Sequence, residues 1–339
     1  MSVPVAAAEP ELRIDPLSGH RAIIAGARAG RPGGELIIEP APSLDAATDP
    51  FAEGHEAMTP AEIYAIRPGG GEQDGPGWTV RVVPNLYPAL AHGTGEEPAP
   101  APGANANRDL FFATTAVGAH EVIINSPEPV MSLSGLPFEQ VQVAVEAWRE
   151  RVRAHSSAAY VHLIVNERRE AGASLPHTHA QLYAMSFVPA AVAREREHFT
   201  AYATRTLGAN LLADLVQEEV RKRERIIAID SDTVLMSPYG ARVPFQLLIA
   251  PRRPRARWQD DGPTGAAMLY DALRRLAERL GTSPPLNLWI RTAPRGAEHY
   301  CWRIDILPRL THFAGLELGA GIYLNPVAPE VVAAELREL

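Results

Sequence analysis

A chain of 339 residues, 46% of them hydrophobic, carries enough apolar material for one large domain or two smaller ones. Its formal net charge of −8 excludes the broad basic surface that nucleic acids need, and its single cysteine, Cys301, excludes an internal disulfide and a zinc site built on several thiolates. No stretch approaches the ~18 to 20 apolar residues of a membrane span, and the N-terminus has no basic segment followed by an apolar core, so the expectation is a cytoplasmic protein with no membrane partner.

In chain order, residues 1–10 read as an arm, residues 20–24 as a short strand, and Arg28 and Arg31 sit in the basic loop after it. Thr59-Pro60-Ala61-Glu62 has the form of a helix start, with Thr as the N-cap, Pro in the first turn and an acidic residue three positions on. Residues 78–90 give a strand ending at Pro84, residues 91–108 a Pro/Ala/Gly-rich mobile loop, and residues 118–129 another strand. Apolar residues at helical spacing predict an amphipathic helix over 136–156; strands follow at 160–168 and 175–187, and helix over 189–225.

The second half replays the first. Residues 225–254 give strand, strand, turn, strand; residues 262–281 a helix; residues 286–309 strand, loop, strand. A unit of about 150 residues is far too long for a solenoid repeat and predicts a duplicated α+β module with antiparallel sheets. Aligning the copies sets His177-Thr178-His179 against Arg303-Ile304-Asp305. A residue type that the fold alone demands would recur in both, so the paired histidines point to a site.

Residues 171–184, AGASLPHTHAQLYA, hold that pair. On a strand His177, His179 and Gln181 share one face. The Gly172-Ala173-Ser174 turn before them lacks bulk, so a phosphate can approach its backbone, and Ser174 adds a hydroxyl. A neutral imidazole is a competent nucleophile toward phosphorus, and Gln181 can donate to a non-bridging oxygen without adding charge. Taken alone, the pair also fits half-buried strand residues or metal ligands.

The run Asn166…Gly172-Ala173-Ser174-Leu175-Pro176-His177-Thr178-His179-Ala180-Gln181 resembles the N…G-x-S-x-P-H-P-H-G-Q stretch of galactose-1-phosphate uridylyltransferases, a branch of the histidine-triad superfamily. LRIDPLSGHRAIIAGARAGRP, DPFAEGHEAMTPAEIYAI, VRVVPNLYPAL, GAHEVIINSPEP, VPFQLLIAPRRP and HYCWRIDILPRLTHFAGLELGAGIYLNP are similar to other blocks of that family, in the same order. The resemblance implies an α+β fold of two fused histidine-triad-like halves with mainly antiparallel sheets flanked by helices. Residues 1–195 would form the half carrying the active-site histidine and residues 196–339 a half with a degenerate site. It implies a homodimer and ping-pong nucleotidyl transfer, with His179 as nucleophile, His177 and Gln181 beside it, and Ser174 on the phosphates. Arg28, Arg31, Asn85 and Asn166 would contact the nucleotide or its phosphates, and Glu317 with residues 319–325 would reach the sugar in the neighbouring subunit's site.

The chain departs from the family's metal positions. Where relatives hold zinc with two Cys and two His, it has Asp49, Ala52 and Pro129 besides His177. One ligand makes no zinc site, so no metal is expected there, and His177 is expected to orient the phosphate or its neighbour. At a second metal position Glu219 matches the family's Glu, while the three His positions hold Arg291, Arg303 and Asp305. An arginine stays protonated and cannot ligate, so Arg303 and Asp305 read as an ion pair in place of the metal. The leading expectation is transfer of UMP between a UDP-hexose and a sugar 1-phosphate, without cofactor. The alternatives are a phosphorylase acting on ADP-glucose or a dinucleotide, and a nucleotide-binding protein without turnover.

Overall fold

The computed structural model describes residues 9–30, 36, 38–39, 41, 44–91, 93 and 113–339. Arg31, most of the arm at 1–10 and most of the loop at 91–108 lie outside them. Strands β1 (Glu11–Ile14), β2 (Arg21–Ile24), β3 (Tyr64–Ile66), β4 (Val80–Pro84) and β5 (Gly118–Ile124) lead to helix α1 (Phe138–Ala154), then to β6 (Tyr160–Glu167) and β7 (His179–Met185). Helices α2 (Ala190–Arg205) and α3 (Leu211–Lys222) connect to β8 (Ile226–Ile229), β9 (Thr233–Met236) and β10 (Leu247–Pro251). After α4 (Ala266–Leu280) come β11 (Leu286–Arg291), β12 (Arg303–Pro308), α5 (Gly315–Ala320), β13 (Ile322–Asn325) and α6 (Pro329–Arg337).

Ten strands make one sheet, ordered β3-β4-β5-β7-β6-β11-β12-β10-β9-β8. Read outward from the β6–β11 seam, each half runs in the same sequence: β6, β7, β5, β4, β3 on one side and β11, β12, β10, β9, β8 on the other. The expected duplication is thus two histidine-triad-like halves joined edge to edge, with antiparallel neighbours throughout. The expected division at 195/196 falls within α2. A second sheet, β1-β2-β13, ties the first strands to the last. Among the described residues no helix is long and apolar enough to cross a membrane.

The strand alternation decides what faces what. Ala180, Leu182 and Ala184 of β7, Ile304 and Ile306 of β12, and the apolar stripes of α1 and α4 share one dry core with Trp148 and Leu269. A fully buried leucine such as Leu182 contributes roughly 1.5–3 kcal/mol to it. His179, Gln181 and Tyr183, and likewise Arg303 and Asp305, therefore emerge on the opposite face. That face is where both candidate sites lie.

Two elements differ from expectation. Thr59-Pro60 does not open a helix; a short 3-10 turn, Glu56–Met58, is followed by extended chain into β3. Long-range pairing overrides the local capping signal. Glu62 takes both guanidinium nitrogens of Arg67 at 2.6 and 2.7 Å and Arg81 Nε at 3.1 Å, while Arg81 Nη1 donates to Thr59 Oγ1. The helix expected over 189–225 is broken into two at Leu207 and Gly208, both with positive φ, and Asn210 caps α3 by accepting the amide of Ala213.

Candidate active site

The Gly172 turn delivers the chain into β7 at His179. Gly172 has φ +91°, a conformation open to glycine but strained for most side chains. The His-Thr-His peptide is then tied down from below. Thr178 donates its amide to Val130 O at 2.7 Å, and its hydroxyl accepts from Asn125 Nδ2, whose Oδ1 accepts from the Trp148 indole at 2.9 Å. The sequence that makes the site is thereby anchored to the core of the N-terminal half.

His179 is buried and lines a cleft of about 420 Å3 together with Phe51, Asn85, Ser174 and Gln181. Its Nδ1 lies 2.7 Å from His177 O. A carbonyl only accepts, so Nδ1 carries the proton and Nε2 is left with a bare lone pair. Burial holds the imidazole below its usual range, against the opposing effect of the carbonyl bond. The Phe51 ring meets His179 edge-on at 5.2 Å between centroids.

His177 does not line this cleft. It is fully buried, with Nδ1 2.6 Å from Asp49 Oδ2 and Nε2 2.9 Å from Ser126 O. Both nitrogens face acceptors, so the ring and the Asp49 carboxylate together hold two protons. Asp49 Oδ1 also accepts the amide of Phe51. Of the two roles expected for His177, orienting the phosphate or its neighbour, its place fits the second: it is pinned by Asp49 and offers its carbonyl to the neighbouring imidazole. This position does not suit zinc. Ala52 and Pro129 bring no donor, both nitrogens of His177 are spent, and no group of three His, Cys, Asp or Glu fit for a metal exists among the described residues.

Gln181 is oriented by two partners that sequence reasoning did not single out. His120 Nδ1 lies 3.2 Å from the amide of Ala89 and accepts from it, so its Nε2 carries the proton; of the two groups 3.1 Å from Nε2, Gln181 Oε1 accepts that proton, while Asn85 Nδ2 is a second donor that this tautomer does not bond. Tyr183 donates to the same Oε1 at 3.0 Å, and its ring stacks on His120 at 4.1 Å. With the oxygen engaged twice, the amide nitrogen of Gln181 is the end left for the cleft. Burial lowers the His120 pKa and raises that of Tyr183, which favours these protonation states. In the β5–β7 pair His120 sits directly opposite Tyr183 and diagonal to Gln181, which faces Val122, so the three side chains share one face; the sequence does not show that β5 pairs with β7.

Other expected residues are placed as follows. Asn85 lines the cleft, its Oδ1 accepting the amide of Tyr87, and Ser174 is exposed at its rim. Asn166 faces the β11 neighbour Asn287, whose Nδ2 donates to its Oδ1 at 2.8 Å, and is not part of the cleft lining. Arg28 is exposed, and Glu317 caps α5, accepting the amides of Ala314 and Leu324 away from this cleft. Leu86 and Tyr87 are exposed along its mouth, with Met58 opposite, so one end of the cleft is apolar and the His179 end polar.

In the C-terminal half the glutamate is Glu195, not Glu219. Glu195 Oε1 accepts from Arg303 Nη2 at 2.9 Å with Arg291 Nε at 3.5 Å, and Oε2 accepts from the Tyr300 hydroxyl at 2.7 Å. Burial pushes this carboxyl up, but Arg303 and Arg291 outweigh it and bring it down to about 2. Glu219 pairs with Arg225 instead, at 2.9 Å. The expected Arg303–Asp305 ion pair is present at 3.0 Å. Two guanidiniums cannot ligate a cation, so these residues do not fit a metal.

Comparison with known proteins bears on this geometry. The family model for the galactose-1-phosphate uridyl transferase N-terminal domain matches residues 8–189, more than half of the chain, and one for a domain of unknown function (DUF4921) matches residues 137–338. The chain is 29% identical to ADP-glucose phosphorylase of Arabidopsis thaliana, over 97% of this chain and 93% of that protein. It is 27% identical to galactose-1-phosphate uridylyltransferase of Cryptococcus neoformans, over 76% and 74% of the two chains. It superposes on the crystal structure of an Arabidopsis thaliana ADP-glucose phosphorylase with bound ADP-glucose with a TM-score of 0.78 and 27% identity, covering 98% of this chain and 99% of that one.

Proposed function

The chain belongs to the galactose-1-phosphate uridyl transferase family, a branch of the histidine-triad superfamily, and from that premise we propose that it transfers a nucleoside monophosphate from a nucleotide sugar through a covalent nucleotidyl-histidine at His179. The observation that carries this reading is the tautomer of His179, whose Nδ1–H is committed to His177 O so that Nε2 presents its lone pair to the cleft. In the first step Nε2 attacks the α-phosphorus. The N–P bond forms, the bond from phosphorus to the bridging oxygen breaks, and a sugar 1-phosphate leaves with the electron pair. In the second step an oxygen of the acceptor phosphate attacks the same phosphorus, and the N–P pair returns to Nε2. Splitting one displacement into two in this way is the gain of covalent catalysis.

Gln181 donates its amide N–H to a non-bridging oxygen where charge builds, a preorganised donor of the kind that stabilises such transition states. Ser174 and the Gly172 turn meet the phosphates, and Asn85 meets the nucleotide. Arg28, Arg31 and Asn166 complete the phosphate and nucleotide contacts in this reading. The apolar end, with Met58, Leu86 and Tyr87, takes the base. The role of His177 is positional, through its carbonyl. No metal or other cofactor enters the reaction. The enzyme acts in the cytoplasm as a homodimer, in which Glu317 and residues 319–325 serve the partner's cleft; Glu317 facing away from its own cleft supports this.

The carried base is the finer question. Likeness along the full chain to an ADP-glucose phosphorylase favours AMP as the carried group and inorganic phosphate as acceptor. Likeness to uridylyltransferases, over a shorter stretch in one sequence but along nearly the whole chain in a solved structure at a TM-score of 0.70, supports UMP and a sugar 1-phosphate acceptor. Intact mass after brief incubation with ADP-glucose, UDP-glucose or UDP-galactose, quenched at alkaline pH to spare the N–P bond, decides both points. An AMP or UMP adduct absent from His179→Ala is the expected result and names the base. Nucleotide binding without an adduct from any of the three donors would instead make the chain a binding protein.

A further inference from the structure

The C-terminal half holds a second, narrow cavity on the same sheet face, partly open to solvent. Arg303 is 4% exposed, yet its Nη1 has no hydrogen-bond partner; neither do Trp289 Nε1 and Arg291 Nε, all from residues lining this cavity. The half-buried Arg242 guanidinium lies over the Trp289 and Tyr323 rings at 5.5 and 5.4 Å. Across the strands, Arg291 sits directly opposite Arg303 and Trp289 opposite Asp305. Like charges so placed repel, and each buried donor left without a partner is destabilising.

The carboxylates in the lining do not absorb these donors. Asp15 accepts from the amides of Leu17 and Ser18 and from the Ser18 hydroxyl, and Glu195 has both oxygens engaged. Asp305 Oδ2 lies 3.0 Å from Arg303 Nε, but without the alignment of a hydrogen bond, and is left as one acceptor without a partner. The cavity therefore offers several unpaired donors and, in Asp305, a carboxylate that accepts no hydrogen bond. Formal charges of Arg242, Arg291 and Arg303 cancel those of Asp15, Glu195 and Asp305, so recognition rests on matching hydrogen bonds and not on a net field.

We propose that this cavity is a binding site for a protonated tetrahedral oxyanion, of which hydrogen phosphate is the type. Its unprotonated oxygens accept from Arg291, Arg303, Trp289 and Arg242, and its one hydroxyl donates to Asp305 Oδ2. Sulfate has the same shape and charge at neutral pH but no proton to give, and would set an acceptor against the Asp305 carboxylate. The site thus discriminates by a proton. It is independent of the chemistry at His179.

Thermal unfolding of the full chain at constant ionic strength tests this, with sodium phosphate against sodium sulfate. Phosphate at tenfold excess over its Kd should raise Tm by about 2 °C, and sulfate by less. Arg242→Ala, outside the His179 cleft, should shrink the difference; any phosphate held at His179 contributes equally to both chains and cancels between them. Asp305→Asn, which can donate its amide, should shrink it likewise. Equal responses to the two anions in the unmodified chain, or a phosphate preference as large in Arg242→Ala as in the unmodified chain, would overturn the proposal.

Discussion

Replacing Asp49 separates geometry from charge in the active site. Asp49→Ala removes the partner of a fully buried imidazole, a loss of about 3–5 kcal/mol for a buried pair broken on one side. It also frees the Phe51 amide, worth about 1 kcal/mol by itself. For 339 residues, the unfolding entropy of about 2.1 cal/mol/K per residue gives about 0.7 kcal/mol per degree, so a loss of about 4 kcal/mol lowers Tm by about 6 °C. The His177 carbonyl loses its anchor, and a misplacement of the attacking nitrogen by about 1 Å costs about 100-fold in rate. Adduct formation in Asp49→Ala should therefore slow by about 10- to 100-fold. Asp49→Asn should behave differently. Its Nδ2 can donate to His177 Nδ1 while His177 Nε2 keeps its proton for Ser126 O, and its Oδ1 still accepts from Phe51. That variant should stay within about 2 °C and about 10-fold of the unmodified protein. Rapid-quench mass spectrometry and calorimetry read both effects. An Asn variant as damaged as the Ala variant would show that the negative charge matters and not the hydrogen-bond geometry; an Ala variant indistinguishable from the original would remove Asp49 from the account altogether.

Three more outcomes follow from the same structure. Because burial holds the His179 pKa below its usual 6.5, the adduct rate should stay flat as pH falls through that value and drop only further down; a half-maximum near pH 6.5 would show that burial does not lower this pKa in the working enzyme. The linked stability has the same direction: the unfolded ring takes up a proton that the folded one refuses, so this contribution is whole above the unfolded pKa and is lost as pH falls toward the folded one. His120→Phe keeps an aromatic ring on Tyr183 but deletes the donor to Gln181 Oε1; kcat should fall about 10-fold with stability down by about 1–2 kcal/mol, and an unchanged kcat would show that Gln181 needs no such hold. Burial pushes the Glu167 carboxyl up to about 8, with Oε2 unpartnered. The folded state keeps a proton that the unfolded chain releases, so stability should decline as pH rises from the ordinary carboxyl range to about 8, and Glu167→Gln should flatten that decline in urea titrations.

What the sequence disclosed was what is local or repeated. The H-x-H pair, the Gly172 turn, Gln181 and the order of strands about α1 and α4 all lie within short windows, where periodicity and turn chemistry speak directly. The duplication was legible because the two copies share their element order, and the sheet shows it as one sequence of strands read twice from the central seam. What escaped was carried by distance along the chain. Asp49 meets His177 across 128 residues, His120 meets Gln181 across 61, and Arg303 meets Glu195 across 108. Glu195 and Glu219 both sit on helices between the halves, and only the packing of α2 beside β12 shows that Glu195 is the one that meets Arg303. Thr59 failed for the related reason that a locally sound cap was outbid by the ion pairs of Glu62 and Arg81.

The two halves present the same sheet face with opposite polar accounting. Around His179 the neighbouring polar atoms are committed: Nδ1 to His177 O, His177 to Asp49 and Ser126, Gln181 Oε1 to His120 and Tyr183. What is left over is one lone pair and one amide, the minimum needed to attack phosphorus and steady the charge that develops. Around Arg303 the commitments stop short, leaving donors from two strands and the acceptor of Asp305 unanswered. Reactivity follows from the first pattern, because a nucleophile must be both uncharged and free. Receptivity follows from the second, because a ligand supplies the bonds the fold has not made. Duplication makes both patterns reachable from one scaffold. On the proposed readings, the residues at the two equivalent strand positions, a pair of histidines in one copy and an arginine with an aspartate in the other, set a reacting half apart from a binding half.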